Sequence, residues 1–411
     1  MKVRVILLLL GLFILAGVRV TLAEEEEKPL GPGWLSLDST VGVVDNAIAN
    51  GKSNISKSLF GINFGGYLDT AYQWSSNWPS SPSNISGHYF DKDQNKIDFN
   101  DFHFFIDKPE KDWGVGFHVS GDFGRTGELL REATFWHKNL EKAPSAELRE
   151  AYLTTTIPVG EGIGFKGGIF VTPLGTEILP NPGAFNDNIS RSFLFNYAIP
   201  LRHLGGMFSY SVLKTVSLSA GLVTGWDQMG DLNSSPSFLG GVTVTPNDKF
   251  TFVSNLIAGD EPTFTGPNPR RSTFRWVLSN VWTIKPLDPM GISLEYTFGR
   301  QNDGSLGGTR DATWQGVAGI VSWAWTDRFT TALRSEFFSD RDGARLGGSP
   351  SGHADVKVGE FTLTGAYKFT KMLLGRIELR QDFANNSFYR RGSISADKNQ
   401  TYLAAQATYS F

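Results

Sequence analysis

Apolar and polar side chains alternate along most of the chain after residue 59. The segment FGINFGGYLDTAYQW at 60–74 puts an apolar, aromatic or small residue at every second position, whereas Asn63, Asp69 and Gln73 fall between them. A period of two is typical of a β-strand, and about 15 residues suffice for a tilted strand to cross a bilayer. One face of such a strand is apolar and faces lipid, and the other is polar and faces a lumen.

The same alternation recurs to the C-terminus, for example at 113–119, 216–226 and 373–382. The pattern predicts sixteen strands, an even number as in single-chain bacterial barrels. They are predicted at 59–74, 96–107, 113–124, 148–157, 163–172, 203–213, 216–226, 237–245, 250–259, 272–284, 290–300, 313–325, 328–339, 357–369, 373–383 and 401–411.

The connections between these strands alternate in length. The short ones, such as DKPEKD, PVGEG and PNDK, are rich in the Pro, Asp and Lys residues of turns. The long ones lie near 75–95, 125–147, 173–202, 227–236, 260–271, 301–312, 340–356 and 384–400. Short periplasmic turns and longer outer loops are typical of outer-membrane barrels, so we predict an all-β transmembrane antiparallel barrel over 59–411.

The first 58 residues follow another pattern. Lys2 and Arg4 precede an apolar run over 5–18 that ends near Thr21-Leu22-Ala23, which predicts a signal peptide at 1–23. The run is shorter than the roughly 20 apolar residues of a membrane anchor. Residues 24–58 are predicted to form a periplasmic N-terminal segment with a short helix near 38–50, because Val41, Val44 and Ile48 would share one face.

Composition narrows the class of protein further. The chain has 411 residues with 46 Gly, 31 Phe, 11 Trp and 11 Tyr, no Cys, and a formal net charge of −3. Disulfides and thiolate sites are excluded, and the charge gives no reason to expect nucleic acid. The mean hydropathy of −0.18 argues against a bundle of membrane helices.

Tryptophans give an independent test of the barrel, because aromatic side chains form girdles at both membrane interfaces. The strand assignment places Trp74, Trp226 and Trp314 at the outer rim, and Trp113, Trp282 and Trp325 at the periplasmic rim. The strand at 313–325 holds a conflict, since Trp314 and Trp325 fall on opposite faces. Either this strand contains a bulge, or one of its Trp positions faces inward.

The third long connection, at 173–202, is the candidate constriction, in preference to a loop that only caps the exterior. It carries Glu177, Asp187 and Arg191. Strand parity puts six basic and six acidic side chains, together with Tyr67, inside the barrel. The charged ones are Lys166, Arg275, Arg334, Lys368, Arg376, Arg380, Asp69, Glu150, Glu295, Glu336, Glu378 and Asp382.

An acidic loop opposite an arginine wall would set up a transverse field that screens solutes by charge and size. Alternatively, these charges pair across neighbouring strands and only stiffen the wall. The equal numbers of inward positive and negative charges predict weak ion selectivity.

Catalysis has little support in the sequence. His118, Ser120 and Asp122 share one strand face, but successive same-face residues lie roughly 7 Å apart, too far for a Ser–His hydrogen bond. The six His residues lack metal-ligand spacing, and no motif indicates a cofactor. Polar lumen lining is the better interpretation.

Several segments resemble the putative β-barrel porin-2 family, also called OmpL-like. They are FGGYLDTAYQW at 64–74, PLGTE with NISRSFLFNYAIPLRHLGG within 173–206, TGWD at 224–227, RSEFFSDRDG at 334–343 and ELRQD at 378–382. The resemblance covers most of 59–411 and implies an outer-membrane porin, but it names no substrate. The terminal Phe411 resembles the signal through which the barrel-assembly machinery binds such chains.

The expected function is a passive diffusion channel for small hydrophilic solutes in the outer membrane of a Gram-negative-type bacterium. Two alternatives remain open, namely a channel selective for sugars or anions and a structural or adhesin barrel without transport. Aromatic lumen residues such as Tyr67 and Tyr152 would favour sugars. Outer-membrane lipid surrounds such a barrel, and homotrimers are common among such pores.

Overall fold

The computed structural model describes residues 57–59, 61–80, 84–110, 114–133, 146–182, 184–231, 233–262, 272–350 and 352–411. The predicted signal peptide, the helix near 38–50 and Trp113 lie outside these residues. A short strand at Lys57–Leu59 pairs with the beginning of the first long strand. The end of the predicted N-terminal segment therefore forms a hairpin at the barrel.

Sixteen long strands follow in chain order. They are β1 (Ile62–Ser75), β2 (Lys96–Lys108), β3 (Val115–Phe123), β4 (Ala146–Ile157), β5 (Ile163–Val171), β6 (Arg202–Leu213), β7 (Val216–Val223), β8 (Ser237–Asn247), β9 (Phe250–Pro262), β10 (Ser272–Leu287), β11 (Met290–Gln301), β12 (Ala312–Ala324), β13 (Phe329–Asp340), β14 (Val356–Lys368), β15 (Leu373–Ala384) and β16 (Asn399–Ser410). Every one coincides with a predicted strand, and the fold class is confirmed.

The sheet closes on itself. Each strand pairs antiparallel with its neighbours in the chain, and β16 pairs with β1 from Tyr402↔Ser75 to Ser410↔Tyr67. Beyond that pair, the N–H of Phe411 donates to the Gly66 carbonyl at 3.0 Å, and the Gly66 N–H donates to the Phe411 carbonyl at 3.1 Å. Closure leaves no long strand of the barrel without a partner on both sides.

The two faces of the sheet have opposite chemistry, as the alternation predicts. On β15, Ile377 is 69% exposed and Leu379 is also exposed, whereas Arg376, Glu378 and Arg380 are buried. Because the charged faces of all these strands point toward the centre, the barrel is apolar outside and polar inside. This arrangement suits lipid outside and water inside.

Two bulges shift the parity on one side of the barrel. The β1–β2 register shifts between Asp69 and Thr70, and the β3–β4 register shifts between Ser120 and Gly121. At the second bulge, Ser120 pairs with Glu150 and Gly121 with Leu148, so that Arg149 is the extra residue. Both Arg149 and Glu150 are buried, because a bulge lets two consecutive side chains share a face.

The tryptophan conflict in β12 resolves without a bulge. The β12–β13 register is continuous, and Trp314 is 1% exposed and donates from Nε1 to the Ala198 carbonyl at 3.1 Å. Trp226 is also buried and packs edge-on against Trp314. The assignment of Trp226 and Trp314 to the outer girdle was therefore wrong, because both pack inside. Trp325 is exposed, as an interface residue should be.

Helices within the described residues are short and belong to the long connections. Helix α1 (Arg125–Ala133) follows β3 and buries Leu129 and Leu130, and one π-helical turn spans Leu194–Ala198. A small hairpin pairs Tyr389–Arg391 with Ser395–Asp397 in the last connection. None of the helices in the described ranges is both long and apolar enough to cross a membrane.

Candidate functional site

The connection between β5 and β6, residues 172–201, lies inside the barrel. We call it the lumen loop. It buries Leu174, Leu179, Phe193, Leu194 and Ile199. These side chains belong to one apolar cluster with inward residues of the wall, among them Val277, Phe338 and Val358. Burial of these apolar side chains therefore stabilises the loop inside the lumen, where it replaces water.

Wall carboxylates bind the main chain of the lumen loop. Glu336 accepts the N–H groups of Phe193 and Leu194, both at 2.6 Å. Glu378 accepts those of Ile189 and Ser190 at 2.6 and 2.9 Å, and Glu295 accepts that of Thr176 at 2.8 Å. Hydrogen bonds to charged acceptors are the stronger kind, so these carboxylates fix the loop at three places.

Three arginines of the wall bind carbonyl and carboxylate oxygens of the same loop. Arg334 pairs with Glu177 at 2.9 Å and donates to the Ser190 carbonyl at 2.6 Å. Arg376 donates to the Asn186 carbonyl at 2.5 Å, and Arg380 to the Arg191 carbonyl at 2.7 Å. The predicted acidic loop and arginine wall are therefore in direct contact and do not oppose each other across the lumen.

Some of these charges also pair within the wall. Arg334 lies 2.7 Å from Glu360 on β14, and Arg380 lies 2.6 Å from Asp382 on its own strand. The alternative in which charges pair within the wall and stiffen it therefore has support. Glu336 and Glu378, however, bind the backbone of the loop instead of pairing within the wall. The wall charges act as anchors for the lumen loop.

A second anchor lies on the other side of the barrel, around Arg149. Its guanidinium contacts Asp122 at 2.5 and 2.7 Å and Asp101 at 3.2 Å, and it donates to the Pro180 carbonyl of the lumen loop. Tyr67 donates to Asp101 at 2.7 Å. Because the strands around β3 and those around β14 both hold the loop, it crosses the lumen.

The first long connection adds a contact that sequence reasoning missed. His88 is buried, and its Nε2 lies 3.1 Å from Asp382 while its Nδ1 contacts Asp91. Burial lowers the pKa of His88, but the carboxylates of Asp91 and Asp382 outweigh burial and hold that pKa above its usual value. No motif around His88 indicates that it lies against the wall.

The remaining predicted lumen residues are spread over the wall. Asp69 accepts from Gln406 at 2.8 Å, and the Lys166 ammonium lies 4.5 Å above the Tyr152 ring. The Oδ1 atom of Asp187 is enclosed. Arg275 lies apart from Arg334, Arg376 and Arg380, since its guanidinium stacks on Trp226 at 4.9 Å.

Tyr67 is 1% exposed and stacks on His103 with ring centroids 5.2 Å apart. With its hydroxyl bound to Asp101, it offers no face to a sugar.

The three residues considered for catalysis do not form a triad. His118 lies 3.4 Å from Asp107, whereas Asp122 binds Arg149 and His103. In the described parts of the chain, no group of three or more His, Asp or Glu side chains could hold a metal ion.

Comparisons with known proteins place the chain in a structural context. The family model described as "Putative beta-barrel porin-2, OmpL-like" matches residues 61–411. A search of curated proteins found no match.

Similar solved structures include three outer-membrane proteins. The outer membrane channel DcaP of Acinetobacter baumannii is 15% identical with a TM-score of 0.58, and the match covers 86% of this chain and 99% of DcaP. The anion-selective porin of Comamonas acidovorans is 10% identical at TM-score 0.56, covering 85% and 99%. The trimer form of Vibrio cholerae OmpT is 12% identical at TM-score 0.55, also covering 85% and 99%.

Proposed function

Since the chain belongs to the putative β-barrel porin-2 family, it is a porin channel, and we propose that the lumen loop sets which solutes pass. Small hydrophilic solutes diffuse through the barrel without a chemical step. The loop filters them by size, and the mostly paired charges around it discriminate only weakly by sign.

One observation carries this proposal, namely that the lumen loop is anchored on opposite sides of the barrel. Pro180 is bound by Arg149 of β4, while Phe193 and Leu194 are bound by Glu336 of β13, and Thr176 by Glu295 of β11, each seven strands away from β4 in the closed sheet. A sixteen-stranded barrel is wide enough for an aqueous channel. A segment fixed across that width narrows it and cannot swing away as a free loop would.

The pairing of charges supports weak ion selectivity near the lumen loop. Arg334, Arg380 and Arg149 all contact carboxylates at 3.2 Å or less. Paired charges present little net field to a passing ion. The predicted residues Glu177, Asp187, Arg376 and Glu378 are thus proposed to shape the passage more than to select a charge.

Membership of a porin family also bears on assembly and localisation. We propose that the chain reaches the outer membrane of a Gram-negative bacterium after removal of residues 1–23, with Phe411 as the contact for the barrel-assembly machinery. The trimer form of a similar barrel supports a homotrimer.

Single-channel recording in planar lipid bilayers tests the proposal. Folded, heat-modifiable protein is expected to give discrete ohmic current steps with weak preference between cations and anions. Protein that has been boiled before addition is the control and should give none. A folded preparation that inserts into vesicles but never conducts would contradict the channel and favour a structural or adhesin barrel.

A further inference from the structure

A cavity of about 260 Å³ lies beside the lumen loop at the long-loop end of the barrel. Its wall is formed by the loop at Tyr197 and Ile199, by Trp226 after β7, by Arg275 on β10 and by Arg345 after β13. Several connections thus meet at one place, and the lining side chains include two arginines and two carboxylates, Asp227 and Glu261.

Trp226 holds both guanidinium groups in the cavity. The guanidinium carbon of Arg275 lies 4.9 Å from the centroid of the Trp226 ring system, and that of Arg345 lies 4.6 Å from it. Each arginine uses its Nε atom elsewhere. That of Arg275 donates to Gln301 at 2.9 Å, and that of Arg345 donates to the Tyr197 carbonyl at 2.5 Å. Stacking and these bonds fix the orientation of both groups.

The terminal nitrogens of both arginines lack a carboxylate within the described ranges. The two carboxylates that line the cavity bind neutral donors. Glu261 accepts from the Trp226 N–H, Gln228 and Ser237 at 2.7–2.9 Å. Asp227 accepts from the backbone N–H groups of residues 201 and 202 at 2.7 and 3.0 Å.

Two cations are therefore held close together with little solvent. Arg275 is 8% exposed. Burial, and after it the positive charge of Arg275, lowers the pKa of Arg345 to about 10. Asp227 and Glu261 stabilise the charge of Arg275 through space, but neither bonds to a guanidinium, and a buried cation without a bonded counter-ion is costly. An anion that bonds to both arginines therefore gains electrostatic energy in the cavity. The flat fork of a guanidinium matches the two oxygens of a carboxylate.

The rest of the cavity favours an organic anion. Ile199, Leu201 and Pro262 line it with hydrocarbon, and the amides of Asn196 and Gln228 add neutral polar groups. Apolar lining with a few convergent polar groups is typical of small-molecule sites.

We propose that this cavity binds a small organic carboxylate, whose carboxylate group lies between Arg275 and Arg345 and whose hydrocarbon part packs on Ile199 and Leu201. The site rests on the proposed function, since it stands beside the lumen loop where an entering solute meets it. It adds specific binding of organic anions to a channel whose preference among simple ions is weak, and so deepens the selective alternative left open by the sequence.

Isothermal titration calorimetry on the detergent-purified full chain tests the site, with benzoate as ligand and benzamide and inorganic phosphate as comparisons. Benzoate is expected to bind at one site per chain, and benzamide at least about tenfold more weakly, because it lacks the charge. Equal binding of benzamide would overturn the role of the arginines. Equal binding of phosphate would overturn the organic class of the ligand.

Variants locate the site. Arg275→Gln and Arg345→Gln are each expected to weaken benzoate binding at least about tenfold, and the double variant to abolish it. Arg300→Gln is the matched control, because Arg300 lies on the opposite face of the wall with its side chain 49% exposed, and it should bind as the wild type does. If the Gln variants fail to fold, Arg275→Lys and Arg345→Lys keep the charge but lose the fork, and weaker binding is expected. Wild-type affinity in folded variants would overturn the proposal.

Bilayer recordings on the same preparations separate the two proposals. A channel that conducts but binds no benzoate leaves the porin function intact and removes the carboxylate site. A folded chain that binds benzoate but gives no current steps keeps the site and contradicts the channel.

Discussion

At the scale of single residues, Asp227 is an acid that the fold partly keeps from ionising. Burial raises the pKa of Asp227 to about 6, although the N–H groups of Arg202 and Leu201 act in the other direction. The native state then binds a proton more tightly than the unfolded chain, whose Asp pKa is about 4. The stability that this tighter proton binding by Asp227 contributes is therefore lost as the pH rises from about 4 to about 6.

Asp227→Asn removes this titration while keeping a carbonyl that can accept both N–H groups, and Asn tolerates the left-handed backbone at this position, where φ is 52°. We expect the variant to gain stability over the wild type at pH 7.5 by at most about 3 kcal/mol, and to gain less at pH 4. Urea unfolding followed by tryptophan fluorescence at both pH values measures the difference.

Asp311→Asn is the control for that experiment. Asp311 is fully exposed, and a hydrogen bond from Arg300 lowers its pKa, so this variant should lose stability at pH 7.5. A gain for Asp227→Asn of the same size at both pH values would show that ionisation is not the cause.

The inward position of Arg149 could not be predicted from the sequence. Strict alternation puts Glu150 inside and therefore Arg149 outside, yet Arg149 is fully buried and joins Asp101, Asp122 and the lumen loop. A bulge depends on the register of two strands, and no local pattern marks where a register shifts. By contrast, Arg334, Arg376 and Arg380 lie on the inner face of the wall that alternation predicts, because their strands pair without interruption.

At the scale of elements, the lumen loop depends on two carboxylates that bind its backbone. Replacing Glu336 and Glu378 together by Ala leaves four N–H groups of the loop without their acceptors. Each lost hydrogen bond to a charged group costs about 1.5–3 kcal/mol, which is enough to loosen the segment between residues 189 and 194.

We expect the double variant Glu336→Ala, Glu378→Ala to show a larger mean single-channel conductance and more current noise than the wild type. Glu161→Ala is the matched control, because Glu161 is exposed in a short turn, and its conductance should be unchanged. A smaller or equal conductance in the folded double variant would argue that the lumen loop does not narrow the passage.

The strands were predictable and the path of the loop was not, for a physical reason. Each strand is specified by its own alternation, and each predicted boundary lies within three residues of the observed one. The route of residues 172–201 is specified by carboxylates more than 100 residues away in the chain, such as Glu336 bound to Phe193. Length and charge suggested a constriction, but only the closed barrel brings these partners together.

At the scale of the whole molecule, barrel closure ends at Phe411. Its backbone pairs with Gly66, while its ring lies 6.1 Å from that of Phe102 and is partly exposed. The backbone bonds do not depend on the side chain, so closure itself should survive a change of residue. The exposed ring is therefore accessible for the contact with the assembly machinery that we propose.

Phe411→Ala is therefore expected to reduce the amount of folded protein in the outer membrane several-fold. The fraction that does assemble should change its gel mobility on heating at nearly the same temperature as the wild type. Phe369→Ala is the control, because Phe369 is another exposed aromatic that directly follows a strand. Equal losses for the two variants would point to a general need for aromatic surface and not to recognition of the terminus.

The carboxylates that hold the lumen loop by its main chain have a consequence for which substitutions the loop tolerates. Glu336 and Glu378 accept hydrogen bonds from peptide N–H groups of the loop, and every residue except proline supplies that group. These hydrogen bonds therefore do not depend on the side chains at the bonded positions, whereas the apolar packing of Phe193 and Leu194 does. Substitutions that keep the buried apolar side chains of the loop can therefore alter the passage while the wall carboxylates still hold its backbone.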